Sequence, residues 1–257
     1  MSDRGASTPR VFCIRHGETE WSREGRFTGV TEIDLTARGA QQASDVGELL
    51  FGRGKLVDPA RLANVIVSPR KRAKHTLEKL LPLPLKTSSD DVNLEAKIVT
   101  DKNVAEWDYG KYEGKTDKQI RCQRQQQGLD KEDAWNIWRD GCEGGESKKD
   151  VTERLLRLIV QIRKIQEPRM KGDGPGDVLV VSHGLILRCF WKLWNGFEID
   201  HNISIDIETT GMFVLGYKGN DINKRSFYLG VSLPLAEHDG ERESQKKPRA
   251  IASETPS

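Results

Sequence analysis

Two apolar runs, far apart in the chain, each stop at a histidine followed by a glycine. Val11-Phe12-Cys13-Ile14 leads into Arg15-His16-Gly17, and Asp177-Val178-Leu179-Val180-Val181 leads into Ser182-His183-Gly184. Short apolar runs with such abrupt ends read as buried strands. In open α/β sheets ligands bind just beyond the carboxyl ends of the strands, which is where both histidines stand. A single Arg-His pair is better explained as a satisfied structural histidine. Two strands that bring His-Gly to one sheet edge are hard to explain by core packing, and a third strand, Asn64 to Ser68, ends in Pro69-Arg70. Arginine brings a planar fork of donors and neutral imidazole a nucleophilic nitrogen, so the three strand ends together suit an anion such as phosphate.

Composition narrows the remaining classes. The chain has 257 residues, enough for one sizeable domain. Charged residues make up 31% but nearly cancel to +2, which gives no global field for nucleic acid or membrane. No apolar run approaches the roughly 20 residues that span a bilayer. Residues 1–10 are polar and lack a signal-peptide core, so the expected address is cytoplasmic. Cys13, Cys122, Cys142 and Cys189 are scattered without metal-ligand spacing, and no metal or cofactor is expected.

The connecting segments alternate helix and strand. Thr36 is placed to cap a helix with Ala40, Ala43, Val46, Leu49 and Leu50 on its apolar face. A helix after Pro69 turns Ala73, Leu77, Leu80 and Leu81 inward, and Lys71, Arg72 and Lys74 read as its solvated positions. Residues 82–91 read as a linker and 97–104 as holding a short strand. Residues 105–147 form a lid-like insertion containing a polar helix from Thr116 and two tryptophans, Trp135 and Trp138. A long amphipathic helix from Glu146 carries Val151, Leu155, Leu158, Ile159, Ile162 and Ile165. Leu185 to Trp194 reads as a mostly buried helix with one conspicuous cation, Arg188, and strands are expected at 205–207, 212–217 and 227–231. The expected architecture is a three-layer α/β fold, a doubly wound and mostly parallel sheet with helices on both faces. Residues 1–9 are expected to be flexible, 10–235 to form the domain and 236–257 to be a disordered tail.

Arg15-His16-Gly17-Glu18-Thr19, Ser68-Pro69-Arg70 and Ser182-His183-Gly184 resemble the motif set of the histidine phosphatase, or phosphoglycerate-mutase-like, superfamily. The resemblance runs from about residue 10 to 233, with the motifs in the family's order. Glu106-Trp107-Asp108-Tyr109-Gly110-Lys111-Tyr112-Glu113-Gly114 and the segment from Gly128 to Glu143 resemble the fungal sedoheptulose-1,7-bisphosphatase branch. The resemblance implies hydrolysis of a phosphate monoester through a phosphohistidine on His16. It assigns Arg15, Arg70 and His183 to the phosphoryl pocket, and Glu106 to proton transfer, with Asp108 and Glu113 as competing carboxylates. Thr28 is expected to offer a hydroxyl and Gly29 a backbone donor, with Tyr109 and Gly184 also at the substrate. Arg188, about one turn beyond His183, is the candidate for a distal phosphate. The implied substrate is a sugar bisphosphate, sedoheptulose 1,7-bisphosphate or its shorter analogue fructose 1,6-bisphosphate. Mutase or fructose-2,6-bisphosphatase-like activity, a broad-specificity or protein-tyrosine phosphatase and a catalytically dead binding module are the alternatives. The partner expected is a small sugar phosphate, not nucleic acid or membrane, and self-association into a homo-oligomer stays open.

Overall fold

The computed structural model describes residues 8–81 and 93–230. The linker at 82–91, nearly all of the N-terminal segment and the tail at 236–257 lie outside the described residues. The chain runs β1 (Val11–Arg15), α1 (Glu20–Arg23), α2 (Ala37–Leu50), β2 (Leu62–Val67), α3 (Lys71–Leu80), β3 (Ile98–Thr100), α4 (Asp117–Gln126) and α5 (Ile137–Asp140). It continues through α6 (Lys148–Gln166), β4 (Asp177–Ser182), α7 (Gly184–Trp194), β5 (Met212–Tyr217) and β6 (Arg225–Tyr228).

The strands form one sheet in the order β3-β2-β4-β1-β5-β6. Its first four members are parallel, and β5 and β6 are added antiparallel. Residues alternate between the two faces of a strand, so a strand covered on both sides must be apolar at every position. β1 sends Val11 and Cys13 into a core shared with α6 and α7, and Phe12 and Ile14 into a second core shared with α3. In β4, Val178 and Val180 take the first side and Leu179 and Val181 the second. The expected three-layer arrangement is therefore present.

The helices start where the side chains specify. Thr36 caps α2 by accepting from the Gly39 amide, and Ser147 and Asp150 form a reciprocal capping box at the head of α6. Within 105–147, Trp107, Tyr109, Tyr112, Ile120, Trp135, Ile137 and Cys142 are buried in the same core as α6 and α7. Trp135 makes edge-to-face contacts with Phe27 and Tyr112. Two local expectations are corrected. The polar loop after Thr19 contains α1, capped by Thr19 and Ser22. Residues 205–207 form no strand, because their backbone faces the site and the Ile207 carbonyl accepts from Arg15. Among the described residues no helix is long and apolar enough to cross a membrane.

Candidate active site

Parallel pairing sets Arg15 opposite Ser182 in the β1–β4 register, and the His16 amide donates to the Ser182 carbonyl at 2.9 Å. The next residue on each strand is a histidine, and the two imidazole centroids lie 5.1 Å apart. Both rings are buried. His16 Nδ1 lies 2.7 Å from the Gly17 carbonyl, which can only accept, so Nδ1 carries the proton and Nε2 the lone pair. Burial, then the charges of Arg72 and Arg15, hold the His16 pKa well below the ordinary histidine value. A neutral, correctly tautomerised nitrogen is the form a nucleophile needs. Gly17 cannot carry a side chain here, since a Cβ would stand 2.4 Å from the Gly39 carbonyl oxygen.

The cation at the heart of the site is Arg72, which corrects its reading as a solvated position. Its side chain has no exposed surface. Arg72 Nε donates to His183 Nδ1 at 3.1 Å, Nη1 to the Thr31 carbonyl, and Nη2 to the carbonyls of Thr28 and Gly29. His183 Nε2 then carries the ring proton and donates to Ser68 Oγ at 2.6 Å. Both nitrogens of His183 are thus engaged by the protein, which fixes the ring beside His16. Burial, then Arg72 and His16, then Arg70, push the His183 pKa well below its usual value. Arg70 sits at the rim instead of the centre. It pairs with Glu32 at 3.3 Å and donates to the Val30 carbonyl, while the other Glu32 oxygen accepts from the Lys71 amide at the head of α3. The anion that Arg70 and the first turn of α3 face is therefore the carboxylate of Glu32.

The loop after α1 also departs from expectation. Thr28 Oγ1 donates to the Arg26 carbonyl, and the Gly29 amide donates to Glu113. What this loop gives the site is a row of carbonyls that holds Arg72. Glu113 accepts from the amides of Gly29 and Thr31, so it anchors the loop. Asp108 accepts from the Gly110 amide and shapes its own turn. Of the three carboxylates, Glu106 alone is buried against the histidine strand ends. Its oxygens accept from the amides of Trp107, Leu185 and Ile186, the last two at the N-terminus of α7. Those donors and Arg72 favour the ionised form, but burial outweighs them and raises the pKa above the usual carboxylate value.

Arg15 donates to the Ile207 carbonyl at 2.8 Å and lies against Gly184, where a Cβ would meet its Nε at 3.2 Å. Tyr109 is buried beside Phe27, and burial followed by the charge of Glu106 pushes its phenol pKa well up. Arg188 pairs with the exposed Asp206 at 3.3 Å, and its charge adds to the lowering of Arg15, behind burial. Among the described residues five buried side-chain polar atoms lack a hydrogen-bond partner, and three of them are the Nε groups of Arg15, Arg70 and Arg188. Native proteins rarely leave such donors bare, and here they fringe one site, an arrangement that suits an anionic ligand. Among the described residues no group of three or more His, Cys, Asp or Glu is arranged to hold a metal.

A family model, the histidine phosphatase superfamily (branch 1), matches residues 11–228. The chain is 38% identical to the sedoheptulose 1,7-bisphosphatase of Saccharomyces cerevisiae over 75% of its own length and 69% of that protein's. It is 35% identical to an acid phosphatase of Mycobacterium tuberculosis, over 83% and 89%. A 2,3-bisphosphoglycerate-dependent phosphoglycerate mutase of Afipia carboxidovorans is 33% identical, over 73% and 79%. Among solved structures, the product of an open reading frame of Mycobacterium tuberculosis superposes with a TM-score of 0.65 at 30% identity, covering 86% of this chain and 96% of that one. The expected fold and the expected enzyme class, a phosphoric monoester hydrolase, both hold. The match across nearly all of the described residues and the paired histidines at adjacent strand ends agree: the chain belongs to the histidine phosphatase superfamily (branch 1).

Proposed function

We propose that the protein hydrolyses one phosphate of a sugar bisphosphate through a phosphohistidine on His16. The observation that carries this reading is the bond from His16 Nδ1 to the Gly17 carbonyl, which leaves Nε2 as a buried, unprotonated nucleophile. Nε2 attacks phosphorus in line, the P–N bond forms, and the P–O ester bond breaks. Glu106, whose burial makes it hold a proton more tightly than an exposed carboxyl, gives that proton to the departing alkoxide. A water then attacks the phosphohistidine and passes its proton to the Glu106 carboxylate, and the P–N bond breaks to release phosphate. Charge on the transferring group stays on its peripheral oxygens, so most of the catalysis is positioning and electrostatics. Arg15 and Arg72, whose charges both act on His16, supply that field.

Two features support a bisphosphate. Arg188 faces the same mouth with a single, exposed carboxylate as its partner, and the yeast relative carries the name of a sedoheptulose 1,7-bisphosphatase. Sedoheptulose 1,7-bisphosphate, cleaved at its 1-phosphate, is the substrate we assign, with fructose 1,6-bisphosphate as its shorter analogue. A mutase, the name that several relatives carry, would instead return the phosphoryl group to substrate. Labelling with 1-[32P]-sedoheptulose bisphosphate followed by quenching tests the reading. The expected result is an acid-labile, base-stable label on His16 and free phosphate as product. Label on serine or cysteine, no label, or transfer to a second hydroxyl of the sugar refutes it.

A further inference from the structure

We infer that Arg154, locked to Glu146, is a positioning residue for Glu106. The inference rests on the reading of Glu106 as the proton donor. Arg154 lies on α6 with its side chain buried, spaced with Val151, Leu155 and Leu158 on the inward face. A guanidinium has five N–H donors, and all five are used. Nε and Nη2 grip the two Glu146 oxygens at 2.7 and 2.9 Å. Nη1 donates to the carbonyls of Asn103 and Ala105, both at 2.8 Å, and Nη2 also reaches the Glu106 carbonyl at 3.4 Å. Glu146 closes the clamp from the other end. Its carboxylate accepts from the Asp108 amide, its own amide donates to the Asp108 carbonyl, and its carbonyl accepts from the Trp107 indole. Apart from the Cys142 amide, which also donates to the Glu146 carbonyl, these bonds end within the pair or on residues 103–108, the segment that carries Glu106.

The division of labour follows from the geometry. The first turn of α7 holds the Glu106 carboxylate, while Arg154 and Glu146 hold the backbone from which it projects. A bidentate Arg–carboxylate pair is directional, which lysine cannot reproduce as a point charge. Arg154 also adds its charge to the field at Glu106. The other groups facing that carboxyl are Arg72 from α3, Arg15 from β1, Cys189 from α7 and Tyr109.

The test exploits leaving groups. Protonation by Glu106 matters for an alkyl phosphate and little for p-nitrophenyl phosphate, whose phenolate leaves unaided, and kcat/KM reports only the steps through this first transfer. Arg154→Lys is expected to lower kcat/KM about 10²-fold for a sugar phosphate, the scale of a misplaced catalytic group, and less than about 3-fold for p-nitrophenyl phosphate. Glu146→Gln, which keeps one acceptor oxygen of the clamp and sets an amide NH2 against a donor in place of the other, should show the same selectivity and carries the test if Arg154→Lys does not fold. In the Glu106→Gln background, Arg154→Lys should add less than about 3-fold, because residues acting through one group are not additive. Equal losses on both substrates, or the same loss with and without Glu106, overturn the inference. If Glu106→Gln itself shows no leaving-group selectivity, the reading of Glu106 falls instead.

Discussion

Arg72→Met, with Arg70→Met as its control, separates the centre of the site from its rim. Methionine fills much of the space but donates nothing, so His183 Nδ1 and the carbonyls of Thr28, Gly29 and Thr31 lose their donor. Thr28 and Thr31 are half-buried, and water can replace the donor there. His183 and Gly29 are buried. At about 1–3 kcal/mol for each buried group left unsatisfied, the two together cost about 2–6 kcal/mol. In a domain of this size that lowers Tm by roughly 4–24 °C. Arg70 pairs with Glu32, whose side chain is 49% exposed, and such a pair contributes only about 0–1 kcal/mol, or roughly 0–4 °C. Turnover should separate the two variants as well. Arg72→Met removes the cation with the larger effect on His16, takes away one of the two bonds that hold the His183 ring and unties the 28–31 loop, for a loss of at least about 10²-fold in kcat/KM. Arg70→Met should lose no more than about 10-fold. Thermal melts by circular dichroism and p-nitrophenyl phosphate kinetics measure both quantities. Equal melting shifts in the two variants, or a larger kinetic loss in Arg70→Met, would refute this assignment of the two arginines.

Glu106→Gln should depress turnover on the sugar bisphosphate by about 10²–10⁴-fold with little change in affinity, whereas Asp108→Asn, which removes a charge but keeps an oxygen for the Gly110 amide, should stay near wild type. Equal losses would move the proton-transfer role elsewhere. Arg188→Ala is expected to lower kcat/KM for the bisphosphate by about one to two decades and to leave p-nitrophenyl phosphate nearly untouched, since that substrate has no distal phosphate. Loss on both substrates would place Arg188 in the catalytic cluster. The folded-state pKa of His16 is depressed, so the unfolded chain takes up a proton first as pH falls. Site-specific NMR titration should therefore show a neutral His16 imidazole at and below the ordinary midpoint of about 6.5, with the stability it contributes lost as pH drops from about 6.5 toward its folded pKa. A midpoint near 6.5 in the folded protein would contradict the burial argument.

The strands that build the site were legible because both of their faces are buried, which forces unbroken apolar runs before His16 and His183. Arg72 was hidden among Lys71, Lys74 and Arg70, where composition cannot say which cation turns inward. Helical spacing carries the missing signal, because Arg72 falls on the stripe formed by Ala73, Thr76, Leu77 and Leu80. Arg154 hid in the same way on the inward stripe of α6. The alternation Ile205-Asp206-Ile207 reads as a strand, yet a side-chain guanidinium takes the Ile207 carbonyl that a ladder would need. Thr28 and Gly29 were expected to offer donors but instead turn their carbonyls to Arg72, because sequence does not reveal that Glu113 occupies the Gly29 amide. Long-range side-chain bonds of this kind leave no periodicity to read.

The placement of β4 between β1 and β2 has a consequence for biosynthesis. Those two early strands do not pair with each other; each pairs with a strand made more than a hundred residues later. Until residues 177–182 exist, β1 and β2 present apolar faces and unpaired edges with the slot between them unfilled, a state prone to association with other chains. Closing so long a loop adds only slowly growing entropy, but the dominance of distant parallel pairings makes the search slow. The same insertion delivers His183 beside His16 and brings the head of α7 to Glu106. A nascent chain that stops short of β4 therefore has neither a closed sheet nor a phosphatase, and recovery of activity on refolding should report the arrival of this one strand.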